Sequence, residues 1–349
     1  MTTAAGRIGN DPSDMTGRVR GFPEQMRRAW DLAEAGPNLI GDAEPERIYV
    51  IGMGGSAIGG DFLRACGERL GDVAVEVVRG YELPRAANES SFAFFVSYSG
   101  GTEETLACWS EAARRRVPRA CVTSGGELER RALADSVPVL KIPPGSPPRA
   151  ALGWTSVPLL HAMGRVGMLE VGSAEIEEAA QACEEVLREF GPDASPNPLR
   201  AWAEGLNGHL PVIYASDSPH RVSAMRWACQ INENGKALAH TALLPEQNHN
   251  EIVGWEVASP VLAATRVALL DDPADHPRTR RRMQVVAESL RASGVSVTHF
   301  APRGQGLLAR LYSYSVQGDL VSLYLAAAQN VDPTPVVSID RLKAALADS

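Results

Sequence analysis

Short runs of apolar and β-branched residues alternate with helix-length amphipathic segments along most of the chain, the pattern of parallel strands joined by crossover helices. In the first half, runs at 47–52 (RIYVIG), 73–80 (VAVEVVRG), 92–99 (FAFFVSYS), 119–125 (RACVTSG) and 137–143 (VPVLKIP) predict five strands, enough for one doubly wound sheet. Prolines in PPGSPPR (143–149) break the alternation. After them, ALGWTSVPLLHAMGRVGML and the acidic AEIEEAAQACEEVLREF carry apolar residues at helical spacing and read as a connector. GPDASPNPLRAW is a linker by composition, and beyond it strand-like runs return at 210–216, 266–272 and 295–302, predicting a second, smaller α/β unit. The division expected is a leader over 1–45, a first domain over 46–165, a helical connector over 166–205 and a second domain over 206–349.

Composition agrees with two domains: 349 residues, 44% of them hydrophobic, can bury a large core at about 100–200 residues per domain. A net charge of −8 works against a nucleic-acid partner, because phosphate backbones are met by clustered Lys and Arg. No apolar run approaches the ~20 residues of a membrane helix. The opening MTTAAGRIGNDPSDMTG lacks the basic end and apolar core of a secretion signal, so the expected location is the cytoplasm. The five cysteines (Cys66, Cys108, Cys121, Cys183, Cys229) form no C-x-x-C pair, and the seven histidines form no H-x-H or H-E-x-x-H. Neither a disulfide framework nor a metal-ligand set is legible, and a metal-free chemistry is expected.

The candidate chemistry begins at IGMGGSAIGGD (51–61), five glycines and one serine directly after an apolar strand. Glycines there admit backbone N–H groups to a ligand, and a following helix N-terminus favours an anion, so the stretch reads as a phosphate cradle. Two other readings stay open. G-x-G-x-x-A after a strand matches part of a dinucleotide fingerprint, but that fingerprint wants an acidic residue about 20 positions on, whereas the second strand ends in VRG with Glu76 inside it. The glycines would also serve tight helix packing alone. A second loop, SYSGGTEETL (97–106), favours the cradle: Ser97, Ser99 and Thr102 supply hydroxyls, Gly100 and Gly101 free the backbone, and Glu103 and Glu104 suit a helix's first turn. One hydroxyl would be enough for an N-cap. If both loops lie at the carboxyl ends of neighbouring parallel strands, they converge where open α/β sheets bind ligands, and they describe a phosphate site without lysine.

GMGGSAIGGD and SYSGGTEET resemble the sugar isomerase (SIS) domain. RWACQINENGKALAH (226–240), PEQNHNEIVGWE (245–256), LLDDPADHPR (269–278) and VDPTPVVSIDRLKAAL (331–346) sharpen the resemblance to the bifunctional phosphoglucose/phosphomannose isomerase family. It runs from about Ile48 to the C-terminus; the leader lies outside the motifs, and Gly101 stands where the family commonly has Asn. The resemblance implies an α/β fold of two SIS-type domains, each a three-layer arrangement of a parallel sheet flanked by helices, in a homodimer. It implies a metal-independent, cofactor-free isomerase taking glucose 6-phosphate or mannose 6-phosphate to fructose 6-phosphate through a cis-enediol. Gly55, Ser56, Ser97, Ser99 and Thr102 then hold the phosphate.

Such a reaction needs a base, a cation near the enediolate and groups that open the ring. Glu233 continues the line Met225, Cys229 along a helix, so its carboxylate is expected on an apolar face with a pKa raised by desolvation; the alternative is a helix-end Glu paired with Lys236. The resemblance makes Glu233 the base. His249, in the polar loop EQNHNE, is a surface histidine on its own terms; by resemblance it opens the ring from the partner subunit. Lys343 reads as a solvated helix lysine, and by resemblance joins ring opening on a C-terminal helix folded back onto the site. Arg149 reads as a surface arginine after a proline turn; a guanidinium does not lose its proton, and the resemblance gives it the enediolate charge. RTRRR (278–282) reads as a solvated helix face. A rival of another class, a sugar-phosphate sensor without turnover, would keep the hydroxyl loops but not need Glu233, His249 and Lys343 together.

Overall fold

Two parallel sheets each give one face to a shared apolar core. The computed structural model describes residues 6–347. Strands β1 (Arg47–Ile51), β2 (Ala74–Val78), β3 (Ser91–Ser97), β4 (Arg119–Thr123) and β5 (Val139–Lys141) form the first sheet in the order β2-β1-β3-β4-β5. Strands β6 (Leu210–Ser216), β7 (His240–Leu244), β8 (Thr265–Leu270) and β9 (Ser296–Phe300) form the second in the order β7-β6-β8-β9. The helices, in chain order, are α1 (Met15–Arg20), α2 (Phe22–Ala35), α3 (Gly54–Leu70), α4 (Glu103–Arg114), α5 (Gly126–Ala134), α6 (Leu152–Arg165), α7 (Ser173–Phe190), α8 (Pro198–Glu204), α9 (Arg221–Glu233), α10 (Pro260–Ala263), α11 (Pro277–Ala292), α12 (Leu307–Ala328) and α13 (Val337–Ala347).

The α/β architecture and the parallel pairing are those the alternation predicts, and every ladder is parallel. On β1, Ile48 and Val50 face the shared core while Tyr49 and Ile51 join Phe95 and Trp109 on the outer side. Burial on both faces is what makes these strands nearly continuous apolar runs. The second sheet has one strand more than the apolar runs predict. The additional strand, β7, is an edge strand with only Leu244 buried, so it lacks the run that marks a strand covered on both sides.

Residues before β1 also build the core. Asp11 accepts from the backbone N–H groups of Met15 and Thr16, fixing the start of α1, and Phe22, Met26 and Ala29 of α2 are buried in the shared cluster. Helix α12 is buried along most of its length, polar residues included, as expected of a helix surrounded by protein. Its Tyr312 stacks on Phe62 of α3 with ring centroids 4.5 Å apart and meets Phe22 of α2 at 5.8 Å. In contrast, α13 is exposed along its described length. In both sheets the strand order reverses beside the first strand, between β1 and β3 and between β6 and β8. In open α/β sheets, the crevice at the carboxyl ends of such strands is where ligands bind.

Candidate active site

At the first reversal the two hydroxyl loops meet. The turn after β1 and the turn after β3 are joined by the Tyr98 N–H donating to Ser56 Oγ at 3.1 Å, which leaves the buried Ser56 hydroxyl its own hydrogen to give. Within the second loop, Ser97 Oγ and Thr102 Oγ1 lie 2.8 Å apart, and the Gly100 and Gly101 N–H groups donate to Ser97 Oγ and Ser99 Oγ. Thr102 is the N-cap residue of α4, yet its side chain makes no capping bond. The first-turn N–H groups of α4 therefore lack the side-chain acceptor that Ser or Thr ordinarily supplies there, and α3 likewise starts without one, at Met53. Ser97 is buried, Thr102 is half-buried and Ser99 is exposed, a graded wall of hydroxyls suited to an anion.

The glycines divide between two roles. Gly54 has φ +49° and open space around it, a left-handed position that favours glycine. Gly55, Gly59 and Gly60 instead allow close packing: an added Cβ would lie 2.6 Å from the Pro148 carbonyl oxygen, 2.3 Å from that of Thr155 and 2.7 Å from Val50 Cγ1. Gly52 is of the same kind, an added Cβ there lying 2.7 Å from the Val96 carbonyl oxygen, so the packing reading of this stretch holds for four of its five glycines. Through Gly55 the cradle lies directly against the 3-10 turn Pro148–Ala150, which carries Arg149.

Arg149 is not on the surface. It is 4% exposed, held between the end of α9 and the segment before α13. Its Nε donates to Asn234 Oδ1 (2.7 Å), its Nη2 to the carbonyls of Pro333 (2.8 Å) and Thr334 (2.6 Å), and its Nη1 faces Glu233 Oε2 at 3.5 Å. Burial pulls the guanidinium below its ordinary value, opposed by the carboxylates of Glu233 and Asp332; an arginine stays charged under both influences.

Glu233 sits differently from its expected place. The line Met225, Cys229, Glu233 is the half-exposed edge of α9, and the Glu233 side chain remains 29% exposed beside Arg149 rather than sealed on an apolar face. The fully buried line is the polar one next to it, Arg226, Gln230 and Asn234. Cys229, one turn before the carboxylate, has its thiol pushed up by burial and by Glu233. Lys236 does not pair with the Glu233 carboxylate. Its Nζ donates to the backbone carbonyls of Glu233, Pro333 and Pro335, and burial and the Arg149 charge pull it below its ordinary value.

The structure thus brings Gly55, Ser56, Ser97, Ser99 and Thr102 to one strand-end crevice, with Arg149 on the turn packed against it and Glu233 beside Arg149. It does not bring His249 or Lys343 to them. His249 is exposed at the end of the 3-10 turn Glu246–His249, and Lys343 is exposed on α13; neither side chain has a hydrogen bond or ion pair among the described residues. Asn234, which holds Arg149, receives no role from the sequence, and Lys236, which the sequence offers only as an ion-pair partner for Glu233, holds the 333–335 segment instead. Asn234 stands in the same NEN motif as Glu233, the one signal that points to it.

Residues 43–159 match the SIS domain model, and residues 196–346 match the bacterial phospho-glucose isomerase C-terminal SIS domain model. The bifunctional phosphoglucose/phosphomannose isomerase of Caldicellulosiruptor bescii is 34% identical over 95% of this chain and 98% of its own length. The chain belongs to the bifunctional phosphoglucose/phosphomannose isomerase family. The Aquifex aeolicus member is also 34% identical, over 93% of this chain and 96% of its own. The fold is shared with a hypothetical protein from Thermus thermophilus, with a TM-score of 0.74 at 18% identity over 97% of this chain and 92% of that one. Both SIS matches of this family member coincide with a parallel sheet, and among the described residues no helix is long and apolar enough to cross a membrane.

Proposed function

We propose that this protein interconverts glucose 6-phosphate and mannose 6-phosphate with fructose 6-phosphate by metal-independent proton transfer, in the cytoplasm, as a homodimer. The observation that carries the reading is the pairing of Arg149 Nη1 with Glu233 Oε2 beside an uncapped, hydroxyl-lined strand-end crevice. The phosphate docks on Ser56, Ser97, Ser99, Thr102 and the N–H groups at the starts of α3 and α4. Glu233, half-exposed and therefore accessible to substrate, removes the C2 proton of the open-chain aldose and returns it to C1. The enediolate oxygen lies near Arg149, whose fixed charge stabilises it without competing for the proton. His249 from the partner subunit and Lys343 from α13 exchange protons with the ring oxygen and its hydroxyl. Two features support the dimer. His249 has no partner side chain among the described residues of its own chain, and the stretch 238–261 that contains it exposes Leu238 (83%), Val253, Val257 (76%) and Val261.

A coupled assay with both aldose phosphates after exhaustive EDTA treatment tests the reaction. Undiminished turnover of both is expected; loss that zinc restores overturns the metal-free mechanism, and phosphate-sugar binding with no turnover of either favours the sensor. Mixing Glu233→Gln with His249→Ala homodimers tests the shared site: half of the reassembled dimers have one intact site of two, so about a quarter of wild-type activity returns. No recovery, with subunit exchange verified by mass spectrometry, returns His249 to its own chain.

A further inference from the structure

The direction in which Arg149 presents its charge is set by residues that never meet the cleft. Of its three nitrogens, Nε is engaged by Asn234 and Nη2 by two backbone carbonyls, so only Nη1 is turned toward Glu233. Asn234 is fully buried and its carboxamide has one orientation: Oδ1 accepts from Arg149, while Nδ2 donates to Ser322 Oγ at 3.0 Å, and that hydroxyl donates to the Asp319 carbonyl at 2.6 Å. A flipped amide would turn its NH2 toward the Arg149 Nε–H, donor against donor.

The same helix grips the arginine's main chain. Arg226 and Gln230 of α9 and Asn234, the residue that caps its C-terminus, are spaced by four and form a buried polar stripe facing α12. Arg226 Nη2 donates to both oxygens of the Asp319 carboxylate (2.8 and 2.9 Å) and to the Arg149 carbonyl (3.2 Å), and Gln230 donates to Asp319 Oδ1. Burial raises the Asp319 carboxyl, and Arg226 opposes it. Arg149 is thus held at its backbone by Arg226 and at its guanidinium by Asn234, both of which rest on α12.

We infer that Asn234 is a positioning residue for the isomerisation: backed by Ser322, it fixes the Arg149 guanidinium so that Nη1 alone faces the developing enediolate beside Glu233. This rests on the isomerase reading above. A side chain that acts through Arg149 has its effect on turnover, not on phosphate binding, and has none once the Arg149 Nε is gone.

The test is a double-mutant cycle over Asn234→Ala and Arg149→Lys, with kcat and KM measured and slow variants followed by solvent-deuterium exchange at C2. Asn234→Ala is expected to lower kcat about 10- to 100-fold, the effect of one hydrogen bond to a charged group, with KM for the 6-phosphates within about twofold of wild type. Asn234→Asp keeps the acceptor and is expected to retain more kcat than Asn234→Ala. In the Arg149→Lys background, Asn234→Ala is expected to cost less than about twofold. Additive losses in the cycle, or a loss confined to KM, overturn the inference and make Asn234 a packing residue. Should Asn234→Ala fail to fold, Ser322→Ala, which frees the carboxamide to turn, replaces it in the same cycle with the same two outcomes. A wild type with no isomerase activity, or an Arg149→Lys enzyme as fast as wild type, overturns the functional reading and this inference together; an additive cycle in an active enzyme overturns this inference alone.

Discussion

The two sheets reverse their strand order at corresponding places, β1 against β3 and β6 against β8, but the two crevices are furnished in opposite ways. At the first, the loops offer glycine backbone, four hydroxyls (Ser56, Ser97, Ser99 and Thr102) and two helix starts without side-chain caps. At the second, charged side chains fill the space. His220, at the start of α9, donates from Nε2 to Asp272 Oδ2 at 2.6 Å; Arg310 of α12 donates to the same oxygen at 2.8 Å; and Ser216 donates to Asp275 Oδ1 at 2.9 Å. His220, Asp272 and Asp275 offer ligand atoms within 4.8 Å of one another, but His220 and Asp272 already satisfy each other across that space. A repeated architecture therefore need not repeat a site. The crevice comes with the topology, and whether it takes a ligand depends on whether its polar groups are left for one or used on each other.

The sharpest way to break this contrast is to remove the chemistry from the cleft beside the first sheet. Glu233→Gln keeps shape and loses the base, so C2 proton exchange should fall by about 10²–10⁴ while fructose 6-phosphate still binds. Equal exchange in variant and wild type moves the base elsewhere. Next is the second crevice as a structural knot. Burial alone would raise Asp272, but the hydrogen bond and charge of His220, the Ala274 N–H and Arg310 outweigh it and hold the carboxyl below the usual range. A depressed native pKa contributes stability above the unfolded value near pH ~4 and loses it as pH falls through the native one. Asp272→Asn should therefore cost about 3–5 kcal/mol in urea unfolding at neutral pH, with the curves of variant and wild type converging below pH ~4. A constant difference across that window would show that the carboxylate's charge is not what the knot uses.

A smaller effect compares the hydroxyls directly. Ser97→Ala with Thr102→Ala should raise KM for the 6-phosphates about 10- to 100-fold, whereas Ser216→Ala should lower the unfolding midpoint and leave KM alone. Equal KM changes at both crevices would abolish the distinction between them. The least effect is expected at Gly101, which has open space and no left-handed φ. Gly101→Asn should be neutral in stability within about 0.5 kcal/mol and neutral or tightening in KM; a rise in KM would give the missing side chain a purpose.

What the sequence discloses follows the same division between local and assembled. Strands covered on both faces, such as β3 with all seven residues buried, announce themselves as apolar runs, though its last expected residues, Tyr98 and Ser99, belong to the loop. Edge strands are less regular: β2, β5 and β9 are marked by their runs, but β5 shrinks to three residues, and β7, with only Leu244 buried, goes unmarked. The hydroxyl loops are readable because their chemistry is contiguous. Arg149 is not, because its burial comes from residues 234, 333 and 334, far along the chain. The amphipathic reading of α9 is inverted at the site for a related reason: α12 presents Asp319 and Ser322, so the polar stripe is the one that goes inside.

Tyr312 has a consequence for how the protein is made. The rings that close the core around α2 and α3, Phe22 and Phe62, find their partner in a residue about 250 positions after Phe62, and the Ser156 and Tyr312 hydroxyls meet at 2.6 Å in the interior. At roughly 5–20 residues per second, a ribosome needs about 10–50 s to cover that stretch of chain. Through that interval the emerging first half carries an apolar surface whose cover has not yet been translated, so its safe passage depends on holding that surface off other nascent chains until α12 arrives.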